Sequence, residues 1–229
     1  MNMQEETWNT DGRECRRYTM GKGAEWLLLQ PVDEHDLEGM DEELNQIATM
    51  TEKAFELVAV KVNDWQTELT PWAASAVFGR TPFGDGAQAT LEFITGRLLP
   101  LYPTRRVLLG GYSLAGLFAL WAGYQCSSFK GIAAVSPSVW YSGWIDFAQS
   151  HAPQTDAIYL SLGDKEERTK NAVMARVGDC IRLQYDLLQK QIPHTRLEWN
   201  EGNHFRDAAL RTAKGFAWLM NNYPSTNSM

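Results

Sequence analysis

The stretch Arg106-Val107-Leu108-Leu109-Gly110-Gly111-Tyr112-Ser113-Leu114-Ala115-Gly116 decides the fold of this chain. An apolar run of strand length comes first. A turn of small residues around Ser113 then separates it from the apolar segment Leu114–Gln125, which predicts a helix. A strand that turns at once into an apolar helix is typical of a mainly parallel sheet covered by helices.

Strand-like and helix-like segments alternate on both sides of this stretch. Strands are predicted at Trp26–Leu29, Phe55–Val60, Arg106–Gly110, Gly131–Val135, Ala157–Leu162 and Thr195–Trp199, with a further one at Glu14–Met20. Helices are predicted at Asp41–Met50, Gly86–Leu99, Leu114–Gln125, Ser142–Ala148, Arg168–Lys190 and Phe205–Met220. This alternation predicts a three-layer α/β sandwich, in which helices cover both faces of a mostly parallel sheet of about six to seven strands.

The length of 229 residues favours a single domain over 1–229. Its core is expected at about 25–220, and flexible ends are expected at 1–12 and 222–229. A hydrophobic content of 44% and a charged content of 21% are ordinary for a soluble globular protein.

Charge and cysteine content exclude several classes of protein. The formal net charge of −7, without a basic cluster, argues against nucleic acid and anionic membrane as partners. The cysteines Cys15, Cys126 and Cys180 are odd in number and form no C-x-x-C motif, which argues against a disulfide framework or a zinc site. The acidic start Met1–Glu6 is not a signal peptide, and no apolar run approaches the ~20 residues of a membrane span, so a cytoplasmic location is expected.

The turn around Ser113 carries the strongest chemical signal. A serine hydroxyl is a weak nucleophile that must be exposed, oriented and deprotonated by a neighbour. A tight strand-to-helix turn achieves this exposure and requires small residues on both sides, here Gly111, Ala115 and Gly116. The turn therefore predicts a nucleophile elbow, in which the N–H of Leu114 faces the oxyanion that forms during the reaction.

The general base is expected to be a histidine that follows the last strand. Of the four histidines, His35 precedes the serine, His151 lies in a polar loop, and His194 begins the last strand at the wrong edge of the sheet. His204 follows that strand at its carboxyl end, where open α/β sheets bind their ligands, and Gly202 gives its loop conformational freedom. The sequence therefore predicts His204 as the base.

The acid that orients the histidine is expected in the loop after Ala157–Leu162. This loop holds Asp164, Glu166 and Glu167. The spacing Gly-x-x-acid from Gly163 favours Glu166, and Asp164 and Glu167 remain alternatives.

Two further parts of the site are predicted from position alone. A second oxyanion donor is expected after the first central strand, where Pro31 has no N–H, so Val32 is the backbone candidate. Aromatic residues placed at the same edge could wall a substrate pocket. These are Trp65, Trp72, Tyr112, Trp140 and Tyr141.

The motifs resemble those of one enzyme family. Gly111–Gly116, the segment Ser136-Pro137-Ser138-Val139-Trp140-Tyr141, Ser161–Glu166 and Gly202-Asn203-His204 are similar to segments of the esterase D-like and enterochelin-esterase-like α/β-hydrolases. The resemblance covers roughly residues 25 to 220. One departure is the oxyanion loop, where that family usually has His-Gly and this chain has Gln30-Pro31.

The resemblance implies an α/β-hydrolase fold and hydrolysis of a small-molecule ester through an acyl-enzyme. By motif match, Ser113 is the nucleophile, His204 the base and Glu166 the acid, with no cofactor or metal. Two other hypotheses stay open: transfer of the acyl group to an alcohol, and a non-catalytic binding protein of the same fold, which the Pro31 loop favours.

Overall fold

The apolar runs of the sequence form the centre of one sheet in the computed structural model, which describes residues 3–223. Its eight strands lie in the order β1-β2-β4-β3-β5-β6-β7-β8. They are β1 (Met3–Thr10), β2 (Arg13–Met20), β3 (Trp26–Val32), β4 (Phe55–Lys61), β5 (Arg106–Tyr112), β6 (Gly131–Val135), β7 (Ala157–Gly163) and β8 (His194–Asn200). Strand β2 is antiparallel to both neighbours, and β4, β3 and β5 to β8 pair in parallel.

Helices cover both faces of the sheet, which confirms the three-layer α/β architecture. One face carries α4 (Ala87–Phe93), α5 (Leu114–Gln125), α6 (Trp144–Ser150) and α7 (Val177–Leu188). The other carries α1 (Glu34–Glu38), α2 (Met40–Met50) and α8 (Ala208–Asn222), and a short α3 (Trp65–Glu68) lies in the connection after β4. No helix between residues 3 and 223 is both long enough and apolar enough to cross a bilayer.

The N-terminal hairpin is the main departure from the expected fold. The strand expected at Glu14–Met20 is confirmed as part of β2, but the flexible end expected at 1–12 is wrong for Met3–Thr10, which pairs with β2 along its whole length. Side chains of β1 are exposed on both faces, so no apolar alternation marks this strand. The two residues of the turn, Asp11 and Gly12, have φ of 49° and 79°, the backbone of a tight hairpin turn.

Three predicted helices differ from those observed. The helix predicted at Gly86–Leu99 becomes a π turn at Ile94–Leu98 and a 3₁₀ turn at Leu99–Leu101. The helix predicted from Arg168 begins at Val177, because the Asn171 side chain accepts hydrogen bonds from the N–H groups of Val173 and Met174 and forms a local turn.

The last predicted helix begins later than its apolar pattern suggested. Helix α8 starts at Ala208, so the residues from Phe205 to Asp207 belong to the loop before it. It ends at Asn222, the first residue of the expected C-terminal flexible end, and residues 224–229 of that end lie outside the described part of the chain.

Helix α8 packs directly on the central strand β5. A Cβ placed on Gly110 would lie 2.6 Å from Cζ of Phe216 and 2.9 Å from Cβ of Ala133. The absence of a side chain at Gly110 therefore admits the fully buried Phe216 ring against the sheet.

Replacing Phe216 with alanine is expected to lower the free energy of unfolding by about 3–5 kcal/mol, because it leaves a cavity between α8 and β5. Urea denaturation of the wild type and of Phe216→Ala measures this change. Leu101→Ala is the control, since Leu101 is 60% exposed and its truncation removes little packing. Equal losses in the two variants would contradict the packing described for Phe216.

Candidate active site

The chain turns sharply between β5 and α5. Ser113 has φ of 58° and ψ of −118°, a backbone conformation that residues other than glycine rarely adopt. Neighbouring backbone holds it there: the Ser113 N–H donates to the carbonyl of Val135 at 3.0 Å, and the Ser113 carbonyl accepts from the N–H of Ser138 at 3.1 Å. The loop that follows β6 therefore fixes the strained turn.

Small residues allow the helix to approach the strand. A Cβ on Gly111 would lie 2.5 Å from Cβ of Ala115, and a Cβ on Gly116 would lie 3.0 Å from the Gly111 carbonyl oxygen and 3.1 Å from that of Val135. Alanine at position 115 is accommodated because position 111 is glycine. The elbow predicted from the sequence thus has the packing that such a turn requires.

The loop after β8 brings His204 to this turn. Its Nε2 lies 3.1 Å from Ser113 Oγ, a hydrogen-bonding distance. Tyr112 donates its hydroxyl to the His204 carbonyl at 2.7 Å. Asp164 accepts a hydrogen bond from the N–H of Gly202 at 2.7 Å, and Gly202 adopts φ of 107°. The loop is thus fastened on both sides of the histidine.

Glu166 lies on the other side of the imidazole. One oxygen, Oε2, is 2.7 Å from His204 Nδ1. The other, Oε1, accepts from the Ser136 hydroxyl and the Gly163 N–H, both at 2.7 Å, and from the Arg211 guanidinium at 3.0 Å. The Glu166 side chain is only 3% exposed, so these donors replace the hydration of its carboxylate.

Burial and hydrogen bonding act in opposite directions on Glu166. Burial raises the pKa of its carboxyl, whereas the hydrogen bond and charge of His204 and the donors Ser136 and Gly163 lower it. The donors prevail, and the pKa lies below its ordinary value of 4.5. Glu166 is therefore ionised at neutral pH, as an acid that stabilises an imidazolium must be.

The other two carboxylates of this loop face elsewhere. Asp164 binds the loop backbone at Gly202, and Glu167 lies at the surface, where its carboxylate is 3.5 Å from Arg182. Of the three carboxylates considered from the sequence, the structure brings Glu166 to His204.

The N–H of Leu114 suits the role of oxyanion donor. It belongs to the first turn of α5, where backbone N–H groups have no partner within the helix, and it directly follows Ser113. The N-terminus of α5 also places a partial positive charge beside the serine hydroxyl.

The structure does not support Val32 as the second oxyanion donor. Val32 pairs with Lys61 in the β3–β4 ladder, and its carbonyl accepts from the Val62 N–H at 2.9 Å. Because the N–H and C=O of one strand residue point to the same side, the Val32 N–H faces β4, away from β5 and Ser113. The next N–H, that of Asp33, donates to the Asp36 carboxylate in a capping box.

A cavity of about 230 Å³ adjoins His204 and Glu166. Its wall includes Trp140, Met174, Val177, Phe205, Lys165 and Arg168. The cavity therefore combines an apolar wall with two cationic side chains at its exposed rim.

Of the five aromatic residues predicted to form a pocket, the structure places Trp140 in the wall of this cavity. Trp65 packs against the core, and Tyr141 is buried with its hydroxyl donating to the Trp72 carbonyl at 2.5 Å. Trp72 donates its indole N–H to the Ser142 carbonyl and stacks on Trp144. These three residues line neither of the two cavities of the site, and their apolar area packs against the core and against neighbouring aromatic rings. Tyr112 lines a second cavity, described below.

Sequence reasoning missed the importance of Arg211. This residue is 1% exposed, and its guanidinium donates to Glu166, to the Tyr112 hydroxyl at 3.1 Å and to the carbonyls of Glu201 and Asn203 at 2.9 and 3.1 Å. The sequence did contain a signal for this role. Arg211 lies on the same face of α8 as the buried residues Gly215 and Leu219, four and eight positions later. An arginine at such an inward position requires a buried acceptor.

Comparison with known proteins establishes the fold. No family model matches the chain, and no curated protein matches its sequence. The siderophore hydrolases EstB and EstA from Aspergillus nidulans match with TM-scores of 0.73 and 0.69 at 16% and 19% identity, over 99% and 96% of this chain and 96% and 94% of theirs. The enterobactin esterase FES from Shigella flexneri gives 0.64 at 15% identity, over 96% of this chain and 60% of that enzyme. These matches confirm the predicted α/β-hydrolase fold.

Arg211→Met is expected to lower the free energy of unfolding by about 3–5 kcal/mol, because it leaves the buried Glu166 carboxylate without its cation. Urea denaturation measures the loss. Arg97→Met removes an arginine from an exposed ion pair with Asp11 and is expected to have little effect. A similar stability in both variants would contradict a structural role for Arg211.

Glu166 is expected to make stability depend on pH in the acid range. The pKa of Glu166 in the folded protein lies below 4.5. Its contribution to the free energy of unfolding is therefore complete above that value and is lost as pH falls through the folded pKa. Urea denaturation between about pH 6 and pH 3 should show a shallower pH dependence for Glu166→Gln than for the wild type. Glu167→Gln, at the surface, should retain the wild-type slope.

Proposed function

We propose that this chain of α/β-hydrolase fold is a serine hydrolase that cleaves a small-molecule carboxylic ester through an acyl-enzyme. The observation that carries the proposal is a continuous series of contacts. Ser113 Oγ lies 3.1 Å from His204 Nε2, and His204 Nδ1 lies 2.7 Å from Glu166. Nucleophile, base and orienting acid follow one another in the order that acyl transfer requires.

Acylation begins with proton transfer. His204 Nε2 takes the proton of Ser113 as Oγ attacks the ester carbonyl carbon. Negative charge develops on the carbonyl oxygen beside the N–H of Leu114, and the ionised Glu166 stabilises the imidazolium through Nδ1. The imidazolium then donates its Nε2 proton to the departing alkoxide oxygen, which leaves as the alcohol.

Deacylation repeats these steps with water. His204 Nε2 removes a proton from the water molecule, and the resulting hydroxide oxygen bonds to the acyl carbon. The tetrahedral intermediate collapses, Ser113 recovers its proton from the imidazolium, and the carboxylic acid departs. Both half-reactions use the same groups of the chain, which are the Ser113 hydroxyl, the His204 imidazole, the Glu166 carboxylate and the N–H of Leu114.

The cavity beside His204 supports an ester with an apolar portion. Trp140, Met174 and Val177 offer apolar contact next to the reacting atoms, and Lys165 and Arg168 lie at its rim. Solved structures with this fold include enzymes whose names describe hydrolysis of siderophores and of enterobactin. These names support ester chemistry on this fold.

Hydrolysis of p-nitrophenyl acetate and butyrate tests the proposal. Ser113→Ala and His204→Ala are each expected to reduce kcat by about a thousandfold or more, because the triad acts as a unit. Ser127→Ala and His151→Ala are matched controls at exposed positions and should retain the wild-type rate.

Labelling with a fluorophosphonate probe supplies an independent readout. The wild type should be labelled at Ser113, and Ser113→Ala should not be labelled. Equal ester hydrolysis by the wild type and Ser113→Ala, or an unlabelled wild type, would contradict the proposal and favour a binding protein. Faster release of product when an alcohol acceptor is added, with an acyl-alcohol formed, would instead indicate acyl transfer.

A further inference from the structure

A second cavity, of about 430 Å³, opens beside the candidate active site. Tyr112, which directly precedes the nucleophile, lines it, and Phe205, which directly follows His204, lines both cavities. Phe205 is 90% exposed. We call it the acidic cavity, after Asp36, Glu38, Glu42, Glu43 and Asp207, which line it together with Gln30.

The acidic cavity differs in charge from the cavity beside His204. Five carboxyl groups line it and no lysine or arginine does. Asp207 pairs with Arg206, and Glu38 lies 3.8 Å from Nδ1 of His35, which also lines the cavity. Among residues 3–223, no lysine, arginine or histidine lies within ion-pair distance of Asp36, Glu42 or Glu43. The other cavity carries Lys165 and Arg168. A ligand that spans Phe205 therefore meets opposite charge at its two ends.

Two buried side chains in the wall of the acidic cavity each have one oxygen without a hydrogen-bond partner among the described residues. Glu43 is 5% exposed and Gln30 is 3% exposed, and Gln30 Nε2 donates to Glu43 Oε2 at 3.3 Å. The remaining oxygen of each side chain is shielded from bulk water and has no hydrogen-bond partner among the described residues. Burial, with a smaller contribution from the charge of Asp36, raises the pKa of Glu43 to about 8, although the hydrogen bond from Gln30 lowers it. The Glu43 carboxyl is therefore mainly neutral near pH 7 and ionises above that pKa or when a cation binds beside it.

The arrangement of these acceptors suits an organic cation rather than a metal ion. Within residues 3–223, no three histidine, cysteine or acidic side chains converge as metal ligands. An alkylammonium group supplies up to three N–H donors and a positive charge, which matches unpartnered oxygens in an acidic surround. Its alkyl chain can lie along the exposed ring of Phe205 toward Ser113.

We propose that the acidic cavity binds an alkylammonium group of the ester substrate, with Glu43 and Gln30 as acceptors at its inner wall. This inference rests on the proposed esterase function and defines the substrate class further. The ester carbonyl lies at Ser113, and a short aliphatic chain crosses Phe205 to place the ammonium group in the acidic cavity.

The measurements are made at about pH 9, above the pKa of Glu43 and below that of an alkylammonium group, about 10.4. The first compares two esters that differ only at the end of a six-carbon chain, which carries either an ammonium or a methyl group. The wild type is expected to hydrolyse the ammonium ester with a kcat/KM about tenfold higher, the scale of one charge-assisted hydrogen bond. Glu43→Gln, which is isosteric, should remove this preference and leave the methyl ester unaffected. Glu52→Gln, an equal change of charge outside the cavity, should behave as the wild type.

A binding measurement separates this inference from the proposed function. Calorimetry with hexylammonium chloride and with 1-hexanol requires no catalysis, and the wild type should bind the cation more tightly than the alcohol. Loss of this difference in Glu43→Gln supports the cation site even if no ester is hydrolysed, an outcome that would contradict only the esterase. Equal affinity for both ligands, or unchanged cation binding in Glu43→Gln, overturns the inference whatever the esterase assay shows.

Discussion

The buried carboxylate of Glu166 is the constraint on which the structure at the carboxyl end of the sheet depends. A negative charge removed from water must be surrounded by donors, and here they come from four places in the chain. Ser136 follows β6, Gly163 ends β7, His204 follows β8 and Arg211 lies in α8. Because one carboxylate contacts all four donors, Glu166 links the ends of three strands and one helix.

Much of the fold could be predicted from the sequence because its central strands are parallel and buried on both faces. Such strands are continuous apolar runs, which are readable without knowledge of their neighbours. Strand β1 is exposed on both faces, and the only clear mark of its hairpin with β2 is the Asp11-Gly12 turn. The start of α7 depends on a side-chain turn at Asn171, which competes locally with the helix and leaves the apolar pattern unchanged.

The candidate site likewise contains residues that could be predicted from the sequence and residues that could not. Ser113, His204 and Glu166 could be proposed because each follows a strand, and parallel strands deliver their carboxyl ends to one edge. Arg211 lies in a helix, and two of its acceptors, Glu166 and Tyr112, are 45 and 99 residues away in the sequence. These partners could therefore be identified only from the tertiary structure. The role predicted for Val32 is unsupported for a different reason. Whether its N–H faces Ser113 depends on which strand lies on each side of β3, and the sequence does not reveal that order.

The separation of the proposed nucleophile and base along the chain has a consequence in time. Ser113 and His204 are 91 residues apart, and α8 with Arg211 comes later still. At a synthesis rate of about 5–20 residues per second, roughly 5 to 20 s pass between the emergence of the serine and that of its base. During that interval a growing chain carries Ser113 without His204. Under the proposed mechanism, synthesis order therefore delays activity until the segment from His204 to Arg211 has emerged and folded.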